Sequence, residues 1–138
     1  YQHAYWAGAA LMLLAEIEAR RSGASLDDFV RAARAMFRDD RPRSARAILD
    51  AVAAGSDAKA AAAARALLHA YDAHAREPFP STEKALAALG VSFDSIGGVH
   101  LDDDARLASI RRAITRPTAA VAKAEDATGS TTTATALH

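Results

Sequence analysis

The histidines, together with the acidic side chains, are the residues of this sequence that could bind a transition metal. They lie at His3, His69, His74, His100 and His138. A zinc-binding helix commonly carries two histidines four residues apart, with a glutamate after the first, as in H-E-x-x-H. This motif does not occur, and His69 and His74 are five residues apart, which places them on different faces of a helix. We therefore predict that the chain itself contains no metal site.

Other catalytic motifs are also missing from the sequence. Cysteine, which would supply a thiol nucleophile or a soft metal ligand, does not occur. No serine lies in a G-x-S-x-G turn, and no glycine-rich phosphate-binding motif is present. Asp102, Asp103 and Asp104 could hold a cation, but aspartates are also typical of the first turn of a helix, where they complement the helix dipole. We favour the helix start.

The charge balance argues against a nucleic-acid partner. Seventeen basic and 17 acidic residues give a formal net charge of zero, whereas proteins that bind nucleic-acid phosphates usually carry a basic excess. No apolar run reaches the roughly 20 residues that a membrane span requires, because the best candidate, Ala4 to Ala15, is followed directly by Glu16. We predict no nucleic-acid partner and no membrane span.

The composition predicts an all-α or mostly α fold, because 38 of the 138 residues are alanine, the residue with the highest helix propensity. Apolar residues recur at spacings of three and four in about six segments, which indicates six helices in an irregular bundle. We place them at about residues 4–22, 26–37, 44–54, 57–76, 82–89 and 102–114. Ser25, Ser56 and Ser81 are predicted to cap three of them, because serine oxygens accept hydrogen bonds from free N–H groups in the first turn.

One short segment has the alternation of a β-hairpin. Its apolar residues lie on either side of a glycine pair, namely Val91, Phe93, Val99 and Leu101 around Gly97-Gly98. We predict a small hairpin near residues 91–101. After Pro117 the helical periodicity ends and the composition becomes rich in Ala, Thr and Ser. The sequence therefore predicts a helical domain over residues 1–117 and a disordered tail over residues 118–138.

The most specific segment is the start of the first helix. Here Tyr5-Trp6-Ala7-Gly8-Ala9 leads into an apolar helix with a charged end, from Glu16 to Arg21, and then into Ser25-Leu26-Asp27-Asp28. One interpretation is structural: Tyr5 and Trp6 anchor a core helix, and Gly8 permits the close approach of another helix.

The other interpretation comes from a resemblance. The segment resembles the tyrosine-x-x-glycine-alanine helix start of gluzincin-type zinc aminopeptidases, and most of all the glycyl-aminopeptidase family, which continues with a similar charged end and Ser-Leu-Asp-Asp. Further segments resemble the closing part of the bacterial short form of that family: Pro78-Phe79-Pro80, Leu89-Gly90-Val91, Leu101-Asp102-Asp103 and Ile110 to Ile114. The resemblance covers roughly residues 1–117 and rests on the order of the motifs. The sequence departs from the broader pattern at Ala7, where many members have lysine.

The resemblance implies that this chain is the C-terminal helical portion of a zinc metallo-aminopeptidase and forms part of its catalytic cleft wall. The zinc ligands and catalytic glutamate would then lie upstream, so the fragment alone is expected to be inactive and to bind no cofactor. Zinc and a peptide substrate are expected in the parent, and the partner of this fragment is the missing N-terminal part of its own polypeptide. Tyr5 matches the family tyrosine that stabilises the oxyanion. The alternative is a non-catalytic helical domain for protein interaction or structure.

Overall fold

Alanine content and apolar periodicity produce six α-helices and one hairpin in the part of the chain that the structure describes. The structure is a computed structural model, and it describes residues 2–74, 76 and 80–116. In chain order the elements are α1 (Gln2–Arg21), α2 (Leu26–Met36), α3 (Ala45–Gly55), α4 (Ala58–His74), α5 (Glu83–Ala88), β1 (Val91–Phe93), β2 (Val99–Leu101) and α6 (Ala108–Thr115). This mostly α architecture confirms the predicted fold class. The predicted tail at 118–138 and the motif residues 78 and 79 lie outside the described residues.

Helix α4 is the centre of the bundle, with α1, α2 and α3 packed around it. Its alanines Ala60, Ala63 and Ala64 are fully buried, because a side chain that ends at Cβ lets neighbouring helices approach closely. From α1, Ala19 packs beside Ala63, and Ala15 packs one turn further along α4. These contacts run in opposite directions along the two helices, so α1 and α4 are antiparallel.

The opposite side of α1 packs on the C-terminal half of the chain. Ile17 forms a buried cluster with Leu89, at the end of α5, and with Leu107, just before α6. The hairpin lies between these two residues, with β1 antiparallel to β2 and Phe93 opposite Val99. The predicted hairpin is therefore confirmed.

A buried arginine fastens the hairpin to α6. The Nη1 group of Arg111 donates to the carbonyl oxygens of Leu89, at 2.8 Å, and of Asp102, at 2.9 Å. Its Nη2 group donates to the carboxylate of Asp103. Because the side chain donates hydrogen bonds to backbone carbonyls at both ends of the hairpin, it holds the hairpin in a fixed position against α6.

The start of α2 follows the predicted capping sequence. The backbone N–H of Ser25 donates to Oδ2 of Asp28 at 2.9 Å, and its hydroxyl donates to the same oxygen at 3.0 Å. Burial raises the pKa of Asp28, but the hydrogen bonds from Ser25 and the positive charges of Arg31 and Lys59 outweigh it and hold the pKa below its usual value. Glu16 adds a bond from α1, accepting the N–H of Leu26 at 2.7 Å.

Two predicted serine caps are wrong. Asp57, and not Ser56, caps α4, because its Oδ1 accepts the N–H groups of both Lys59, at 2.9 Å, and Ala60, at 3.0 Å. A carboxylate is as good an N-cap as a hydroxyl and also complements the helix dipole. Helix α5 begins after Thr82, one residue beyond the position that a Ser81 cap requires.

The aspartates at 102–104 do not open a helix, so that prediction is also wrong. They form a turn, and α6 begins at Ala108. Short acidic side chains compete with helix formation by binding nearby backbone, and Asp102 Oδ1 here accepts the N–H of Asp104 at 2.9 Å. Asp103 turns towards Arg111 and Arg112 of the following helix.

Candidate functional site

Tyr5 lies near the amino end of α1 with 71% of its surface exposed. Its ring packs edge-to-face against that of Trp6, with the ring centroids 5.4 Å apart and the planes at 80°. The Tyr5 hydroxyl makes no hydrogen bond to any described residue. The structure therefore presents a phenol donor at the surface, held by an aromatic neighbour.

The stretch of α1 from Tyr5 to Ala15 is apolar around its whole circumference. No charged side chain occurs between Tyr5 and Ala15. On the exposed side lie Tyr5, Gly8, Ala9 and Met12, which share one face at helical spacing. A helix that is hydrophobic on all sides is normally buried, so this face has the character of a surface that another part of a protein covers.

Beside Met12 lies a groove of about 390 Å³ between α1, α2, α3 and α4. We call it the apolar groove, and its principal lining residues are Leu11, Met12, Phe29, Val30, Ala33 and Ile48. Arg34 is the one charged residue among the described lining residues. The groove therefore extends the exposed face of α1 and offers almost no hydrogen-bonding groups to a ligand.

A second groove, of about 620 Å³, lies on the opposite side of α1. We call it the basic groove; its floor is apolar, and its charged rim is formed by Arg21, Lys84 and Arg106. Glu18 and His69 also line it, with Oε2 of Glu18 2.8 Å from Nδ1 of His69. This groove could not be predicted from the sequence, because its three cations come from segments that are far apart in the chain.

The described residues offer no ligand set for zinc. Among residues 2–74, 76 and 80–116, no group of three or more metal-binding side chains is gathered at one point. His69 is beside Glu18, and His100 is beside Asp94, with 3.1 Å between His100 Nε2 and Asp94 Oδ2. Hydrogen bonds from the Gly98 N–H and from His100 lower the pKa of Asp94. The side chains of His3, His74 and His138 lie outside the described part of the chain.

Comparison of the chain with protein-family models, with curated proteins and with solved structures finds no match. Among the described helices, none combines the length and the apolar character needed to cross a bilayer. The features of the described residues that bear on function are Tyr5, the face of α1 that carries it and the two grooves.

Proposed function

We propose that this chain is the C-terminal helical portion of a zinc metallo-aminopeptidase, that it forms part of the wall of the catalytic cleft, and that Tyr5 stabilises the oxyanion. One observation carries the proposal: an exposed tyrosine, with its hydroxyl unengaged by the described residues, stands at the start of a stretch of α1, from Tyr5 to Ala15, that has no charged side chain. A covered apolar face would exclude water around the phenol. In such surroundings a hydrogen bond to a developing negative charge is worth far more than in bulk water.

The part that this chain plays in the reaction is confined to that hydrogen bond and to the shape of the wall. The phenol of Tyr5 would donate to the carbonyl oxygen of the scissile peptide as negative charge develops on it. Trp6 packs against the ring and would restrict its rotation. Because the described residues hold no set of zinc ligands, the metal and the catalytic glutamate would come from another part of the polypeptide.

Sequencing the natural polypeptide upstream of Tyr1 is the first test. We expect H-E-x-x-H on a predicted helix, followed by a glutamate as the third ligand. An upstream region without these ligands, or a start methionine within a few residues of Tyr1, would remove the peptidase proposal.

The second test is the change Tyr5→Phe in that polypeptide, with release of the N-terminal residue from aminoacyl-p-nitroanilides as the assay. We expect the turnover number to fall on the order of 10²-fold or more, because one oxyanion donor is lost. Zinc content, measured by mass spectrometry of the metal, should be unchanged. Turnover of Tyr5→Phe equal to that of the unchanged polypeptide would exclude Tyr5 from the mechanism.

A second candidate function is a non-catalytic helical domain that docks on a separate protein. The apolar groove favours it, because a surface with a single charged lining residue resembles the core of a protein interface. Hydroxyl-radical footprinting of the natural polypeptide distinguishes the two functions. If the polypeptide's own parts cover this face, Met12 should react more slowly than Met36, although Met12 is the more exposed of the two in this chain, at 51% against 39%. Faster reaction of Met12 would favour the docking domain.

A further inference from the structure

The floor of the basic groove is a trough of apolar side chains. Leu14 and Ile17 of α1 form one side, and Leu107 lies at the end near α6. Between them the floor residues from α4 and α5 are alanines, among them Ala73 and Ala88. The trough exists because alanine side chains fill little of the space between these helices.

The rim of the groove carries positive charge that the described residues do not neutralise. Arg21 ends α1, Lys84 lies in the first turn of α5, and Arg106 lies in the turn before α6. All three are exposed, and none has a carboxylate of a described residue within salt-bridge distance. Glu18, the acidic residue of the described lining, is already bound to His69.

This local excess is notable because the chain as a whole is neutral and many of its arginines are paired. Arg20 binds Glu16 at 2.6 Å, and Arg43 binds Asp39 at 2.6 Å. These carboxylates are engaged with arginines that do not line the basic groove. The basic groove presents cations from three separate elements around one apolar floor, which is the complement of an acidic, amphipathic ligand.

We propose that the basic groove binds an acidic amphipathic helix of a partner protein, with its apolar side chains on the floor and its carboxylates at Arg21, Lys84 and Arg106. A helix fits because the groove is open to solvent and is lined by residues of the helices α1, α4 and α5, which is the usual setting for helix-in-groove recognition. A small molecule would instead require a site that encloses most of its surface. The groove lies on the side of α1 opposite Tyr5, so this inference does not depend on the proposed peptidase function.

The probe is a fluorescent synthetic peptide of about 14 residues with leucine at spacings of three and four and glutamate elsewhere. Its matched partner replaces every glutamate by lysine. We expect the full chain to bind the acidic peptide at least about tenfold more tightly than the basic one, with binding that weakens as salt increases. Amide shifts in nuclear magnetic resonance spectra should locate the acidic peptide at Ala73 and Ala88. Equal binding of the two peptides, or shifts confined to the apolar groove, would overturn the proposal.

Variants of the rim residues then test which positive charges contribute to binding of the acidic peptide. Lys84→Gln and Arg106→Gln should each weaken the acidic peptide several-fold, and the double variant about tenfold or more. Arg65→Gln removes the same charge from an exposed site of α4 outside the groove and should leave binding unchanged. Because all three changes are at exposed positions, unchanged circular dichroism will show that the variants are folded. If the double variant binds the acidic peptide as tightly as Arg65→Gln does, a partner helix is not the ligand. The same conclusion follows if laurate, an anionic fatty acid, binds in the groove and displaces the acidic peptide.

Discussion

Replacing Gly90 by alanine should destabilise the protein much more than the same change at Gly23. Both glycines adopt positive φ angles, +76° at Gly90 and +73° at Gly23, so alanine at either position costs about 1–2 kcal/mol from the left-handed backbone alone. At Gly23 the added Cβ meets no atom within 4 Å. At Gly90 it overlaps the backbone oxygen of Asp102 and lies 2.9 Å from Nη1 of Arg111.

The overlap at Gly90 cannot be relieved by rotating a side chain. The Asp102 carbonyl accepts a hydrogen bond from Arg111 at 2.9 Å, and the Asp102 N–H donates to the Gly90 oxygen at 2.8 Å. The backbone itself must move, and overpacking of this kind typically costs a further 1–3 kcal/mol or so. We therefore expect Gly90→Ala to lower the free energy of unfolding by about 2–5 kcal/mol, against about 1–2 kcal/mol for Gly23→Ala.

Urea unfolding of the full chain, followed by far-ultraviolet circular dichroism, measures both changes. The midpoint should fall in both variants with the slope of the transition unchanged, because the same surface is exposed on unfolding. If Gly90→Ala costs no more than Gly23→Ala, then the close approach between the end of α5 and the Asp102 carbonyl does not exist in solution.

Two further predictions concern charged groups. Arg111→Gln should lower the free energy of unfolding by about 3 kcal/mol, because it leaves buried carbonyls without donors. Arg112→Gln changes an exposed side chain and should stay within about 0.5 kcal/mol of the wild type in the same urea assay. The pKa of Asp28 is lower in the folded protein than in the unfolded chain, where it is about 3.9. The contribution of Asp28 to the free energy of unfolding is therefore present above the unfolded-state pKa and is lost as the pH falls through the folded-state pKa. Asp28→Asn should therefore flatten the loss of stability as the pH falls below about 5; a pH profile identical to that of the wild type would contradict this.

Much of the fold could be predicted because its signals are local. Alanine content and apolar spacing identified the helices, and the glycine pair between alternating apolar residues identified the hairpin. Ser25 and Asp28 were recognisable as a helix start because the residues that bond are three positions apart. The helix predicted to end near residue 89 is followed by Gly90, whose left-handed backbone strongly favours glycine.

The errors have the opposite cause, since they depend on contacts between distant residues. Three consecutive aspartates are typical of a helix start, but Asp103 is held by Arg111, eight residues later, and the turn is stabilised instead. Arg111 itself has no sequence signature, because its role depends on carbonyls 9 and 22 residues away. The role of Tyr5 stays a prediction: the structure shows an exposed phenol, and the oxyanion that it would serve belongs to a substrate.

Helix α1 connects the two proposals and also keeps them separable. Residues on one face share positions three and four apart, so Tyr5 and Met12 lie on one side, while Leu14 and Arg21 lie on the opposite side. Each side is adjacent to a different groove, one almost free of charge and one with a cationic rim. Loss of the Tyr5 hydroxyl changes no group of the basic groove, and loss of Lys84 or Arg106 changes no group of the Tyr5 face. A chain that binds the acidic peptide but fails the Tyr5 test would therefore be a docking domain, and one that passes the Tyr5 test alone would be a cleft wall.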